Sequence, residues 1–72
     1  MTALIDTLGE ALPREMARVR DEALPQYLAI GAPGAIAAAL MRRDLDYAAQ
    51  ALAESDVMAM IVAYKELKGW TS

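Results

Sequence analysis

The stretch that decides the fold runs from Gly34 to Lys68 and reads GAIAAALMRRDLDYAAQALAESDVMAMIVAYKELK. Its first part is dense in alanine, and its larger apolar residues recur at steps of three and four, the spacing of one helix face. Ser55 and Asp56 interrupt this pattern, and Asp56 is a favourable N-cap for a second helix. Because a short connection makes two helices antiparallel neighbours, we expect a helical hairpin formed by residues 33–54 and 57–68.

A short helix is expected at the start of the chain, over residues 2–8. Gly9 is positioned to end it, since glycine is the preferred residue just past a helix C-terminus. Pro13 then suits the first turn of a second helix, where its missing N–H costs nothing. A helix this short is marginal in water unless it packs on the rest of the molecule.

The second helix has two interpretations, which differ at Pro25. The residue before a proline avoids the helical region, so the helix could end near Ala23. Alternatively, a kinked helix continues over residues 13–30. The second interpretation is favoured because one apolar stripe keeps its phase across the proline, at Met16, Val19, Ala23, Tyr27 and Ile30.

Together these elements predict an all-α fold, a small bundle of three to four helices in a single domain over residues 1–72. A chain of 72 residues is short for a stable core. It contains no cysteine and no histidine, so disulfides and the commonest metal ligands are excluded. Alanine supplies 16 of the residues, which favours helix formation and close helix approach over a large core.

Charge and patterning exclude several classes of function. The net charge of −3 argues against nucleic acid, for which a basic surface is expected. The uncharged run Ala23–Met41 is interrupted by prolines and glycines, and its apolar pieces are too short for a transmembrane segment. The first residues lack the positive region of a secretory signal, so we expect a cytoplasmic protein.

No arrangement of residues points to catalysis. Acidic residues pair at Asp21–Glu22 and at Asp44 and Asp46, but they lie among arginines on predicted polar faces. Acid–base chemistry needs carboxylates in a cleft with shifted pKa values. We therefore expect no enzyme, no cofactor and no metal.

The last helix carries the candidate interface. Its main stripe includes Met60 and Tyr64, whereas Met58 and Val62 point elsewhere. Either both sides are buried within one chain, or one side binds another protein or a second copy in a homodimer. Methionine suits adaptable interfaces. Past the helix end, Trp70 is expected to fold back onto Tyr64 or Leu67. The candidate interface residues are Met58, Met60, Val62, Tyr64 and Trp70.

These observations favour a non-enzymatic protein-interaction module. The alternative is a protein that binds a small apolar ligand or a membrane surface. In that case the apolar region Leu28–Met41 would form a pocket or a shallow insert.

Two resemblances accompany this interpretation. Residues 47–67, YAAQALAESDVMAMIVAYKEL, resemble the inter-helix junction of a tetratricopeptide repeat, which implies a helical hairpin. An array of such repeats needs about three of them, more than this chain can hold. The whole chain, particularly residues 11–48, is similar to small helical proteins of bacterial and prophage genomes. That likeness implies a bacterial or phage origin and supplies no site residues.

Overall fold

The computed structural model describes the backbone of residues 2–70 and the side chains of residues 7–70. Within that range every regular element is helical. Helix α1 spans Thr2–Arg18 and continues through a π-helical turn, Val19–Ala23, directly into α2, Leu24–Ile30. Helix α3 spans Ala32–Ala53, and helix α4 spans Val57–Lys68. The predicted all-α fold with a C-terminal helix pair is confirmed.

The first helix is not short, so the predicted end at Gly9 and the new start at Pro13 are wrong. α1 passes through both residues without a break. Leu8 and Leu12, on either side of Gly9, are both buried in the core, and their packing outweighs the roughly 1 kcal/mol that a helical glycine costs. Gly9 and Pro13 lie on the exposed side of the helix. Pro13 has no N–H to donate to the carbonyl oxygen of Gly9, four residues earlier. On this exposed side the carbonyl group can turn towards water instead.

The helix also continues through Pro25, as the unbroken apolar stripe predicts. In a regular α-helix the proline ring would crowd the carbonyl group of Asp21. Here the turn just before it is π-helical, and the N–H of Leu24 donates to the carbonyl oxygen of Val19, five residues back. This wider turn lets the helix accommodate Pro25 while Val19 and Ala23 both stay buried.

A single residue, Gly31, joins α2 to α3. Helix α3 therefore begins one residue before the predicted start at Pro33, because Ala32 already belongs to its first turn. Gly31 has φ 99° and ψ −148°, a conformation that is essentially restricted to glycine. This sharp reversal allows α3 to fold back along α2 at once.

The connection between α3 and α4 reverses the chain in three residues. The N–H of Ser55 donates to the carbonyl of Leu52, and the N–H of Asp56 donates to that of Ala51. This pair of bonds is the Schellman motif, which requires the left-handed conformation that Ser55 adopts at φ 52°. Asp56 also begins α4, because its carboxylate accepts a hydrogen bond of 3.1 Å from the N–H of Ala59.

The molecule is elongated, 43 × 16 × 16 Å, with a radius of gyration of 12.6 Å against about 11 Å for a compact chain of this length. Helix α4, about 18 Å long at 1.5 Å per residue, packs against α1 and α3. Helix α2 packs against the beginning of α3. One half of the molecule is therefore three helices thick. Residues 24–40, which we call the hairpin end, form a half only two helices thick.

The core lies mainly in the thicker half. Four of its buried residues are alanines, and three of them, Ala48, Ala51 and Ala63, lie on α3 and α4, where small side chains favour close packing of the two helices. Every buried residue among the described side chains is apolar or glycine. The core cluster consists of Leu8, Leu12, Val19, Ala23, Met41, Ala48, Ala51, Met60, Ala63 and Leu67.

Candidate interaction surfaces

The outer face of α4 exposes two of the five predicted interface residues. Met58 is 72 % exposed, and Val62, one helical turn later, is 45 % exposed. The two side chains therefore share one side of the helix and point away from α1 and α3. We call Met58 and Val62 the outer α4 face.

The other two predicted interface residues on α4, Met60 and Tyr64, make contacts within the chain. Met60 is only 3 % exposed and belongs to the core, so its prediction as an interface residue is wrong. It follows Met58 by two residues, which places it about 200° around the helix. Tyr64 is half-buried, and the ammonium group of Lys68 lies 5.7 Å from the centre of its ring.

Trp70 is a structural anchor. Its backbone N–H donates a hydrogen bond of 3.1 Å to the carbonyl oxygen of Leu67, and its side chain reaches α3 and α2. Its indole Nε1–H donates a hydrogen bond of 2.9 Å to Asp44 in α3. Its ring meets that of Tyr27 in α2 edge-to-face, with centroids 5.8 Å apart and planes at 81°. This arrangement is a preferred aromatic geometry, and it uses the polar edge that a buried tryptophan must satisfy.

Arg18 secures the same junction from α1. Its Nη2 donates to the carbonyl oxygens of Leu67, at 3.0 Å, and Trp70, at 2.8 Å. Its Nε bonds Glu15 at 3.1 Å. Cations near a helix C-terminus are favourable, and here one guanidinium caps the end of α4. Trp70 and Arg18 therefore join all four helices, so neither is available as a free binding group.

The hairpin end exposes more apolar surface than α4. It holds none of the five candidate interface residues, but it contains most of the region Leu28–Met41 that the alternative interpretation assigns to a pocket or a shallow insert. Ile36 is 70 % exposed and Ile30 is 62 % exposed, and Leu28 and Leu40 are exposed as well. The signal in the sequence was the uncharged run Ala23–Met41, which forms this end. Ile36 and Leu40 are exposed although they lie at helical spacing with the buried Met41, Ala48 and Ala51.

A shallow groove along α1 and the π-helical turn is lined mostly by charged residues. Its volume is about 400 Å³, and it is lined by Arg14, Glu15, Ala17, Arg18, Asp21 and Glu22. A hydrogen bond of 2.9 Å from Arg20 lowers the pKa of the Asp21 carboxyl and raises that of Arg20. The stability from this pair is present above the ordinary aspartate pKa and is lost as the pH falls through the lowered value. Both groups are exposed, so solvent screens the attraction between them.

The part of the chain that the structure describes holds neither a cluster of metal ligands nor a helix that could span a membrane. No group of three or more acidic side chains there converges as metal ligands would. Among the same residues, none of the helices combines the length and the apolar character needed to cross a bilayer.

Comparison with known proteins adds no relative. No protein-family model matches the chain, and neither the curated proteins nor the solved structures contain a significant match. The likeness to tetratricopeptide junctions and to bacterial and prophage proteins therefore stays a prediction from sequence. What supports a function is the geometry of the outer α4 face and of the hairpin end.

Proposed function

We propose that the protein is a non-enzymatic protein-interaction module that pairs with a second copy of itself through the outer α4 face. The observation that carries this proposal is the exposure of Met58 and Val62 one turn apart on a helix whose opposite side is fully engaged. The proposal includes the cytoplasmic location and the bacterial or phage origin that the sequence suggests.

A two-fold pairing uses this small surface efficiently. In an isologous interface the same patch serves both copies, so an antiparallel α4 pair would place Met58 against the partner's Val62 and Val62 against the partner's Met58. A flexible methionine can adapt its shape to such a contact. The area involved is below that of a standard interface, so the expected association is weak.

Sedimentation equilibrium tests the pairing from about 10 μM to about 1 mM, the range in which interfaces of less than standard size dissociate. The wild type should pass from monomer to dimer. Met58→Glu should raise the dissociation constant at least about tenfold, because burying a large apolar side chain contributes ~1.5–3 kcal/mol.

Ile36→Glu is the matched control, since it places the same charge on an equally exposed residue of the hairpin end. It should leave the association unchanged. A monomeric wild type over the whole range would contradict the proposal. Dimerisation that survives Met58→Glu would contradict it as well.

A further inference from the structure

The hairpin end is uncharged as well as apolar. No Asp, Glu, Lys or Arg occurs between Glu22 and Arg42. The fold brings this run together at one end of the long axis, because Gly31 reverses the chain in its middle. Charged residues of α1, α3 and α4 lie in the other half. The molecule is thus divided along its length into an apolar end and a charged body.

The apolar side chains of this end surround it and do not form one flat face. Leu28 and Ile30 are both exposed, yet residues two apart on a helix point about 200° away from each other. On α3, Gly34 faces α2, since an added Cβ there would overlap the backbone of Tyr27. Ile36, two residues later, points away from α2. A flat partner could cover only one of these sides, whereas a fluid apolar medium could cover them all.

The outer face of α3 changes from apolar to cationic and aromatic at the border of this end. Ile36, Leu40, Arg43 and Tyr47 follow one another at i, i+4, i+7 and i+11, and all are exposed. Within the described residues, Arg42 and Arg43 form no ion pair, unlike Arg18 and Arg20. Arginine and tyrosine are the side chains that place an apolar stem in lipid and a polar tip at its edge.

We propose that the hairpin end inserts into the interfacial layer of a phospholipid membrane, where Arg42 and Arg43 bind the phosphates of anionic headgroups. From Gly31 back to Leu24 the end is about 10 Å long, which matches the 5–10 Å to which interfacial helices penetrate. Guanidinium groups form strong paired hydrogen bonds with phosphate. The protein is acidic overall, so it would bind end-on, with its charged body held away from the lipid.

Vesicle flotation tests this insertion with the intact chain. Wild-type protein should float with vesicles of phosphatidylcholine and phosphatidylglycerol, and less with phosphatidylcholine alone. Ile36→Glu should lower the partition coefficient at least about tenfold, because it removes a large apolar side chain that would lie in the lipid and adds a charge. Arg42→Gln with Arg43→Gln should abolish the preference for phosphatidylglycerol, since each arginine near an anionic surface contributes about fivefold in affinity.

Met58→Glu is the matched control and should float as the wild type does, because it lies on the outer α4 face. Circular dichroism establishes that each variant keeps its helices. The proposal is overturned if the wild type fails to float with either vesicle, or if Ile36→Glu floats undiminished. It is also overturned if Ile36→Glu abolishes dimerisation in lipid-free solution, since a second copy would then be the partner of this end. The effect of Met58→Glu on dimerisation tests only the proposed pairing through the outer α4 face, so the two proposals can fail separately.

Discussion

At the scale of single residues, Gly34 determines how closely α2 and α3 approach. A Cβ at this position would overlap the carbonyl oxygen of Tyr27 and lie 2.8 Å from its carbonyl carbon. Both neighbours belong to backbone, which cannot swing aside as a side chain can. Gly34 is also buried, so the close contact is part of the packing of the hairpin end.

Gly34→Ala should therefore destabilise the protein by about 1–3 kcal/mol, the usual cost of overpacking, because α2 and α3 must separate. Gly9→Ala is the matched substitution, since a Cβ there meets nothing within 4 Å. It should stabilise the protein by about 0.5–1 kcal/mol through helix propensity. Urea denaturation followed by circular dichroism measures both. If both substitutions changed the free energy of unfolding equally, the close approach of α2 to α3 at Gly34 would be refuted.

At the scale of elements, Asp56 controls both helices of the C-terminal pair. Its backbone N–H completes the Schellman motif that ends α3, and its carboxylate caps the N-terminus of α4. Only the second contribution depends on the side chain. A substitution at this position therefore separates capping from the chain reversal itself.

Asp56→Ala should cost about 1 kcal/mol, the typical loss of an N-cap. Asp56→Asn keeps an oxygen that can accept from Ala59 and should lose only the smaller charge contribution of the helix dipole. Thermal unfolding of the two variants gives the comparison. If both lose stability equally, the hydrogen bond to Ala59 is not what the side chain contributes.

The elements also show what the sequence can and cannot predict. The break at Ser55 and Asp56 was predictable because the capping signal is local. The expected break at Gly9 was wrong because long-range packing of Leu8 and Leu12 overrides a weak local preference. The helix through Pro25 was predictable from the apolar stripe, but the π-helical turn that accommodates the proline was not, since nothing local marks it.

At the scale of the whole molecule, the two halves differ in thickness. Helix α4 covers α1 and α3, and the hairpin end has no third helix over it. Met58 and Val62 are exposed because α4 carries more apolar residues than its buried side can hold. The helical periodicity of the sequence reveals this excess. The exposure of Ile36 and Leu40 arises because α4, with 12 residues, is shorter than α3, with 22, and leaves the first turns of α3 uncovered. Whether another helix covers those turns depends on tertiary structure, which the periodicity of α3 does not show.

Hydrogen exchange should show this difference. Amides of α2 and of the first turns of α3 should exchange faster than those of residues 44–52, because a half with fewer buried contacts opens at lower free energy. Mass spectrometry of peptic fragments measures the two regions in one experiment. Bound anionic vesicles should slow exchange in the hairpin end. Uniform protection along α3 in free protein would contradict the division into halves.

The junction at Trp70 has one more consequence. The chain contains a single tryptophan, and its indole lies at the contact of α2, α3 and the end of α4. Its emission therefore depends on the hydrogen bond to Asp44 and on the neighbouring ring of Tyr27. Any event that pulls the helices apart exposes the ring to water and shifts the emission to the red. The protein thus carries its own optical reporter, and assembly of the bundle can be followed in real time without a label.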